Sequence, residues 1–222
     1  MKLVLEGGTD VAEMVLFSLD DLPASHADDE SLSSLEERRQ AIRMPTGADG
    51  GYLLHLYVDE GVPPDLEQYC NADDALKCQF QSHSGRVAFG GAESTFRDFK
   101  PNANIRADGS IEPGTYAAVA YRTEYPDDLI EDAVEAKISR SGASVVEFPG
   151  TIVMATVVST IVLLIAAIFV GAAAIGMAAV VVVGGIVWFS SYTHSDKYKS
   201  LLGKRREVES EYPSIVVEMI KT

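Results

Sequence analysis

Charge is missing from one long stretch of this chain. Residues 148–195 contain no Asp, Glu, Lys or Arg, although 33 Asp and Glu and 18 Lys and Arg occur in the rest of the 222 residues. A helix needs about 20 apolar residues to cross a bilayer, and the apolar centre, residues 152–189, is nearly twice as long. We therefore expect two membrane spans, about residues 151–170 and 175–192, joined by a turn. The alternative is an apolar core buried within a soluble protein.

Motifs for metal binding and catalysis are also scarce. Cys70 and Cys78 are separated by seven residues without a CxxC pair, and the four histidines have no metal-binding spacing. The sequence has no phosphate-binding loop, no GxSxG nucleophile elbow and no calcium-binding loop. We therefore expect no metal, no cofactor and no enzymatic activity, and we interpret the two cysteines as reduced structural thiols. Paired acids such as Asp73 and Asp74 are expected to be solvated or to cap helices.

Acidic residues dominate the first two thirds of the chain. Residues 1–150 contain 28 Asp and Glu against 12 Lys and Arg, a net charge of −16, whereas residues 151–222 have a net charge of +1. A domain this acidic repels nucleic acid and anionic lipid headgroups. We expect a protein partner, in one version a basic one, and no nucleic acid. An acidic surface that is simply solvated is the alternative.

Hydrophobic alternation predicts strands in the acidic part. Tyr52–Val58 is predicted to be a central strand, because both of its faces are substantially apolar. Leu76–Gln81 and Arg86–Phe89 are predicted to pair as a hairpin. Tyr116–Arg122 is predicted to be another inner strand. The acidic domain is therefore expected to be α+β.

Two helices and a terminal strand are also predicted. Ser33 and Glu36 have the spacing of a capping box, which predicts a helix over residues 35–43, and Asp127 and Asp128 begin a helix that ends before Gly142. Residues 214–220 have strand-forming side chains. If that strand joins the sheet of the acidic domain, the charge-free stretch is an insertion within one domain.

The charge-free stretch and its C-terminal flank carry candidate packing and interface residues. Small residues four apart allow close helix packing, which makes candidates of Ala155, Ser159, Ala167, Gly171, Ala172 and Gly176. Aromatic and basic residues mark membrane interfaces, which makes candidates of Trp188, Phe189, Tyr192, Lys197, Lys199, Lys204, Arg205 and Arg206. Positive charge outside both ends of the stretch predicts a multi-pass inner-membrane protein with both termini in the cytoplasm.

These observations predict a fold class and a function. The fold class is an α+β soluble domain (1–147) with a two-span transmembrane helical hairpin (148–195), followed by a basic juxtamembrane segment and a C-terminal strand or short helix (196–222). The expected function is a membrane-anchored, non-enzymatic protein-binding module in contact with the lipid bilayer. One version is an immunity-type protein that neutralises a basic or membrane-active toxin. The alternatives are a subunit of a larger membrane assembly, or homo-oligomer, packing through the hairpin, and a membrane-tethered enzyme without a recognisable motif.

Overall fold

The computed structural model describes residues 1–25, 28–100, 102, 104–139, 141–146, 153, 155–162 and 172–222, including all of these side chains except those of 172–181. The chain divides into two compact units. Unit 1 comprises Met1–Pro126 and Tyr212–Thr222, and unit 2 comprises Asp127–Glu211.

Unit 1 consists mainly of strands. Its described strands are β1 (Lys2–Thr9), β2 (Glu13–Ser18), β3 (Ala41–Pro45), β4 (Gly50–Val58), β5 (Leu76–Ser82), β6 (Arg86–Gly91), β7 (Arg106–Ser110), β8 (Gly114–Arg122) and β9 (Ile215–Lys221). They form a five-stranded sheet in the order β1-β4-β9-β8-β5 and a four-stranded sheet in the order β3-β2-β6-β7. Helix α1 (Asp29–Glu37) and the short helix α2 (Pro64–Glu67) also belong to this unit.

The two sheets enclose one apolar core. Alternate residues of each strand point inward, and side chains such as Leu54, Phe80 and Val217 from one sheet meet Leu16 and Phe89 from the other. All five are fully buried. Burying a side chain of this size stabilises a fold by about 1.5–3 kcal/mol, so this core is the main source of stability in unit 1. The α+β character predicted for the acidic part is confirmed.

Strand β9 lies at the centre of the five-stranded sheet. It pairs in parallel with β4, where Leu54 is opposite Ile215, and antiparallel with β8, where Tyr121 is opposite Val216. The C-terminal strand therefore joins the sheet, and unit 2 is an insertion between β8 and β9. Strand β4 is central, as the apolar character of both faces predicted.

The predicted helix over residues 35–43 is wrong. Helix α1 begins earlier, because Asp28 is the N-cap and exchanges capping-box hydrogen bonds with Ser31. Arg39 has a φ of 61°, a left-handed conformation that does not continue a helix. The chain then enters β3, which pairs with β2.

The predicted hairpin of β5 and β6 is also wrong. Both strands exist, but β5 pairs with β8, whereas β6 pairs with β2 and β7. The short connection between them carries the chain from one sheet to the other. Sequence proximity alone did not identify the pairing partners.

All of the regular secondary structure described in unit 2 is helical. It contains α3 (Leu129–Ile138), a short helical segment at 141–146, α4 (155–162), α5 (Ala172–Thr193) and α6 (Asp196–Glu209). Helices α3 and α6 pack together through the buried side chains of Val134 and Val208. Arg205 reinforces this contact, since its Nη2 lies 2.9 Å from a carboxylate oxygen of Glu131.

The predicted membrane hairpin is not supported by the described residues, among which no helix combines the length and apolarity needed to cross a bilayer. Of the first predicted span, the structure describes α4 (155–162). The rest of the predicted span at 151–170, except residue 153, lies outside the described residues. The predictions of a two-span transmembrane fold class and of a multi-pass inner-membrane localisation are corrected accordingly.

Candidate functional site

The sandwich of unit 1 is joined along one side and open along the other. On the joined side, the amide of Gly8 in β1 donates a 3.1 Å hydrogen bond to the carbonyl of Ile105, next to β7. On the other side, the edge strands β3 and β5 are linked by a 2.6 Å hydrogen bond from the Gln81 amide to the Arg39 carbonyl. Beyond that bond, the two edges border cavities of about 420 and 200 Å³, both lined by Leu76. We call this opening the β3–β5 slot.

Inward-facing residues of β5 are exposed in the slot. Leu76, Cys78 and Phe80 alternate along the strand on the side that faces the core. Phe80 is fully buried, whereas Leu76 is 40% exposed and Cys78 is also exposed. Ile42 and Met44 of β3 line the same slot and belong to the apolar core. The core is therefore accessible from outside between these two edge strands.

Strand β5 presents backbone hydrogen-bonding groups to the slot. The Gln81 amide points away from β8, because it donates to Arg39 on the opposite side. The residue opposite Gln81 in β8, Thr115, likewise accepts from Thr222 rather than from β5. In an antiparallel ladder such pairs alternate along the strand. The N–H and C=O groups of Lys77 and Gln79 therefore also face away from β8, and they have no backbone partner within the described residues.

Strand β3 presents a second, less complete edge. The Gln40 carbonyl and the Thr46 amide both bond toward β2, so the alternation directs the backbone groups of Ala41 and Arg43 toward the slot. Pro45 follows them and has no N–H group. Strand β5 is thus the better hydrogen-bonding edge of the two.

A cluster of charged side chains lies around Arg43 at the α1 side of the slot. Arg43 forms ion pairs with Glu13 at 2.9 Å, Asp29 at 2.9 Å and Glu36 at 3.7 Å. One guanidinium thus faces three carboxylates. Burial raises the pKa of Glu36, and the neighbouring carboxylates of Glu13 and Asp29 raise it further against the opposing effect of Arg43. Arg39 and Lys77 also line this part of the slot, so the charges there balance, with Glu13, Asp29 and Glu36 against Arg39, Arg43 and Lys77.

The thiols are poor candidates for nucleophiles. Although Cys78 is exposed as a residue, desolvation beside the slot raises the pKa of its thiol, and the Glu36 carboxylate adds to the increase. Burial, with a smaller contribution from Glu67, raises the pKa of Cys70 to about 11. Both thiols are protonated at neutral pH, whereas catalytic cysteines need a lowered pKa. No group of His, Cys, Asp and Glu side chains able to hold a metal occurs among the described residues.

Asp20 fixes the end of β5 beside the slot. Its Oδ2 accepts hydrogen bonds from the Ser18 hydroxyl at 2.8 Å, the Ser82 hydroxyl at 3.3 Å, the His83 amide at 2.7 Å and the Ser84 amide at 3.1 Å. Burial alone would raise the pKa of Asp20, but these hydrogen bonds outweigh it and hold the pKa far below its ordinary value. The carboxylate thereby ties the end of β2 to the turn between β5 and β6.

The predicted helix-packing residues are only partly described. Ala155 and Ser159 lie in α4 and are exposed. Ala167 and Gly171 lie outside the described residues, and Ala172 and Gly176 lie in the part of α5 whose side chains are not described. Close packing does occur next to Ala155, where a Cβ placed on Gly185 of α5 would lie 3.0 Å from the Thr156 side chain of α4.

The predicted interface residues have varied environments. Trp188 stacks on Tyr192 with ring centroids 4.9 Å apart, and the Tyr192 hydroxyl donates to the Val145 carbonyl. Phe189 lines an apolar groove of about 390 Å³ between α4 and α5. Arg205 is half-buried between Glu131 and Glu209. The remaining basic residues are exposed on α6, namely Lys197, Lys199, Lys204 and Arg206.

Comparison with known proteins adds little to this geometry. No protein-family model and no curated protein matches the chain. A solved structure described as crocagin biosynthetic gene J shares 15% sequence identity, covers 55% of this chain and 75% of its own, and has a TM-score of 0.39. A likeness at this level supports no functional argument.

Proposed function

We propose that unit 1 is a non-enzymatic protein-binding module whose β3–β5 slot receives a segment of a basic partner protein. The observation that carries the proposal is the slot itself, where core-facing side chains are exposed between two edge strands. Exposed apolar surface bordered by polar groups is typical of protein interaction sites.

Charge defines the class of partner. Unit 1 contains 23 Asp and Glu against 11 Lys and Arg, a net charge of −12. At the slot itself the three carboxylates around Arg43 are balanced by Arg39, Arg43 and Lys77, so the preference for a basic partner comes from the net charge of the unit. A basic segment would be attracted by the field of the whole unit and would pair locally with Glu36, whereas an acidic segment would be repelled.

Binding of charged peptides tests the proposal. We expect a labelled peptide of alternating Lys and Val to bind the full chain at low salt, and the matching Glu and Val peptide not to bind, as measured by fluorescence anisotropy. Affinity for the basic peptide should fall as salt screens the charges. Equal binding of both peptides, or of neither, would contradict the proposal.

A matched pair of variants localises the binding. Glu36→Gln removes a carboxylate at the slot and should weaken binding of the basic peptide about three- to fivefold. Glu6→Gln makes the same change in charge on β1, at the opposite edge of the five-stranded sheet, and should have a smaller effect. Equal losses in the two variants would mean that charge attracts the peptide without the slot binding it.

A second candidate function arises from unit 2. Val157 and Ile161 of α4, and Ile186 of α5, are each about half exposed or more, around the groove between these helices. Apolar surface of this extent favours packing against another protein, as in a subunit of a larger assembly. Cysteine placed at the exposed Ala155, in a variant lacking Cys70 and Cys78, should then crosslink to one defined neighbour. A diffuse set of products would count against this function.

A further inference from the structure

We infer that the partner segment binds in extended form and adds to the edge of β5 as a sixth strand of the sheet. This inference rests on the proposed function and deepens it, because it specifies the conformation and hydrogen bonds of the bound segment. Added strands gain affinity from main-chain hydrogen bonds and specificity from side chains that alternate between two faces.

Strand β5 has the geometry that strand addition needs. Lys77 and Gln79 both direct an N–H and a C=O away from β8, into the slot. The spacing of these groups, two residues apart, is the repeat of an antiparallel ladder. The hydrogen bond between Gln81 and Arg39 closes the slot at one end and fixes where an added strand must stop.

Side chains of an added strand would complete both faces of β5. On the inward face they would cover Leu76 and Cys78, which this edge leaves exposed to water. On the outward face they would lie beside Lys77 and Gln79, and Glu36 is the carboxylate that lines the same slot. The segment is therefore an extended one with an apolar residue at every second position, and the net charge of −12 on unit 1 favours basic residues between them.

The opposite edge of the slot is the less suitable one. Strand β3 offers the backbone N–H and C=O groups of Ala41 and Arg43, but Pro45, the next residue that faces the slot, has no N–H group to donate. Arg43 also holds three carboxylates in place beside that edge, so a strand added there would have to disturb their ion pairs. Addition to β5 leaves those pairs intact.

Amide hydrogen exchange provides a direct test. The Lys77 and Gln79 amides should exchange rapidly in the free chain and become protected when the alternating Lys and Val peptide binds. The same peptide with its Lys residues methylated at the backbone nitrogen has the same charge but lacks the N–H groups that would face β5, and it should leave both amides unprotected. Protection at Ala41 and Arg43 instead, or equal binding of the two peptides, would overturn strand addition to β5.

A pair of substitutions at one position separates the contribution of the backbone N–H to peptide binding from that of the side chain. Gln79→Pro removes the outward N–H without removing a bond to β8, and should weaken binding of the Lys and Val peptide about tenfold. Gln79→Ala removes only the side chain and should bind like the wild type. If the proline variant does not fold, amide hydrogen exchange of the wild-type chain with the peptide bound decides whether the peptide adds to β5.

The outcomes distinguish this inference from the proposed function. If the Lys and Val peptide binds with the expected charge preference but without protection at Lys77 and Gln79, strand addition is wrong and the protein-binding function stands. If the peptide fails to bind at any salt concentration, both are wrong.

Discussion

Asp20 offers the sharpest test of how the slot is held in shape. In Asp20→Asn an amide oxygen replaces the carboxylate oxygen that accepts four hydrogen bonds, so the same donors remain but the negative charge is lost. Hydrogen bonds to a charged group contribute about 1.5–3 kcal/mol, against about 0.5–1.5 kcal/mol for neutral pairs. The two shortest bonds at Asp20, at 2.7 and 2.8 Å, would each lose about 1 kcal/mol. Because the residue is only half-buried, we expect a net loss of about 1–2 kcal/mol.

The same substitution predicts a pH dependence with a definite sign. The pKa of Asp20 in the folded chain lies well below its ordinary value of 3.8. Its stabilising contribution is therefore complete above the pKa of the unfolded chain, near 4, and is lost as the pH falls toward the folded value. The difference in the free energy of unfolding between wild type and Asp20→Asn should be at its maximum at pH 7 and should shrink progressively below about pH 4.

The assay must report on unit 1. The only tryptophan, Trp188, lies in unit 2, so urea unfolding should be followed by near-ultraviolet circular dichroism of the tyrosines or by exchange of amides in β5. Asp21→Asn is the control, because Asp21 is exposed and has no side-chain hydrogen bond within the described part of the chain. We expect it to change stability by less than about 0.5 kcal/mol. The reasoning would be refuted if Asp20→Asn and the wild type had the same free energy of unfolding at pH 7, or if their difference were as large at pH 3 as at pH 7.

Substitutions at three further sites, one of them with a matched control, test the packing of unit 1. Gly85 and Gly47 share a φ of 73°, but a Cβ on Gly85 would overlap the Ile111 carbonyl, whereas the space around Gly47 is open. Gly85→Ala should therefore lower the free energy of unfolding in urea by at least about 2 kcal/mol more than Gly47→Ala. Gln40 is buried and its Oε1 has no hydrogen-bond partner in the described structure, so Gln40→Met should be neutral or raise the melting temperature, and a clear decrease would contradict this assignment. Arg106 is buried, bonds a carboxylate and two carbonyl groups, and lies over two phenylalanine rings, so Arg106→Lys should destabilise by about 2–4 kcal/mol in the same assay, and a loss below about 1 kcal/mol would refute that role.

Strand positions in unit 1 were largely readable from the sequence, whereas strand partners were not. The alternation in Tyr52–Val58 depends only on which faces are buried, and it correctly predicted a central strand. Pairing of β5 with β8 involves residues about 40 positions apart, which a local pattern does not encode. The helix prediction at 35–43 failed because the capping box at Asp28 and Ser31 uses a serine, and the expected pattern has Glu or Gln at that position.

The slot could not be predicted at all from one sequence. Leu76 and Cys78 have the same inward alternation as Phe80, and only the arrangement of the two sheets shows that the first two are exposed. Of the carboxylates that surround Arg43, Glu13 lies in β2, whereas Asp29 and Glu36 lie in α1, so their proximity is a property of the fold. Charge composition did indicate an acidic domain, but not which carboxylates cluster around Arg43.

The central position of β9 has a consequence for synthesis. The ribosome completes β4 and β8 first, then makes the 85 residues of unit 2, and only afterwards makes the strand that lies between them. At about 5–20 residues per second, this interval lasts roughly 4–17 seconds. During that time the nascent sheet is divided into β1 with β4 and β8 with β5, each with an open edge that another chain can join. A nascent chain of this protein is therefore exposed to mispairing for seconds, and we expect its yield to depend on chaperones that shield those edges until β9 emerges.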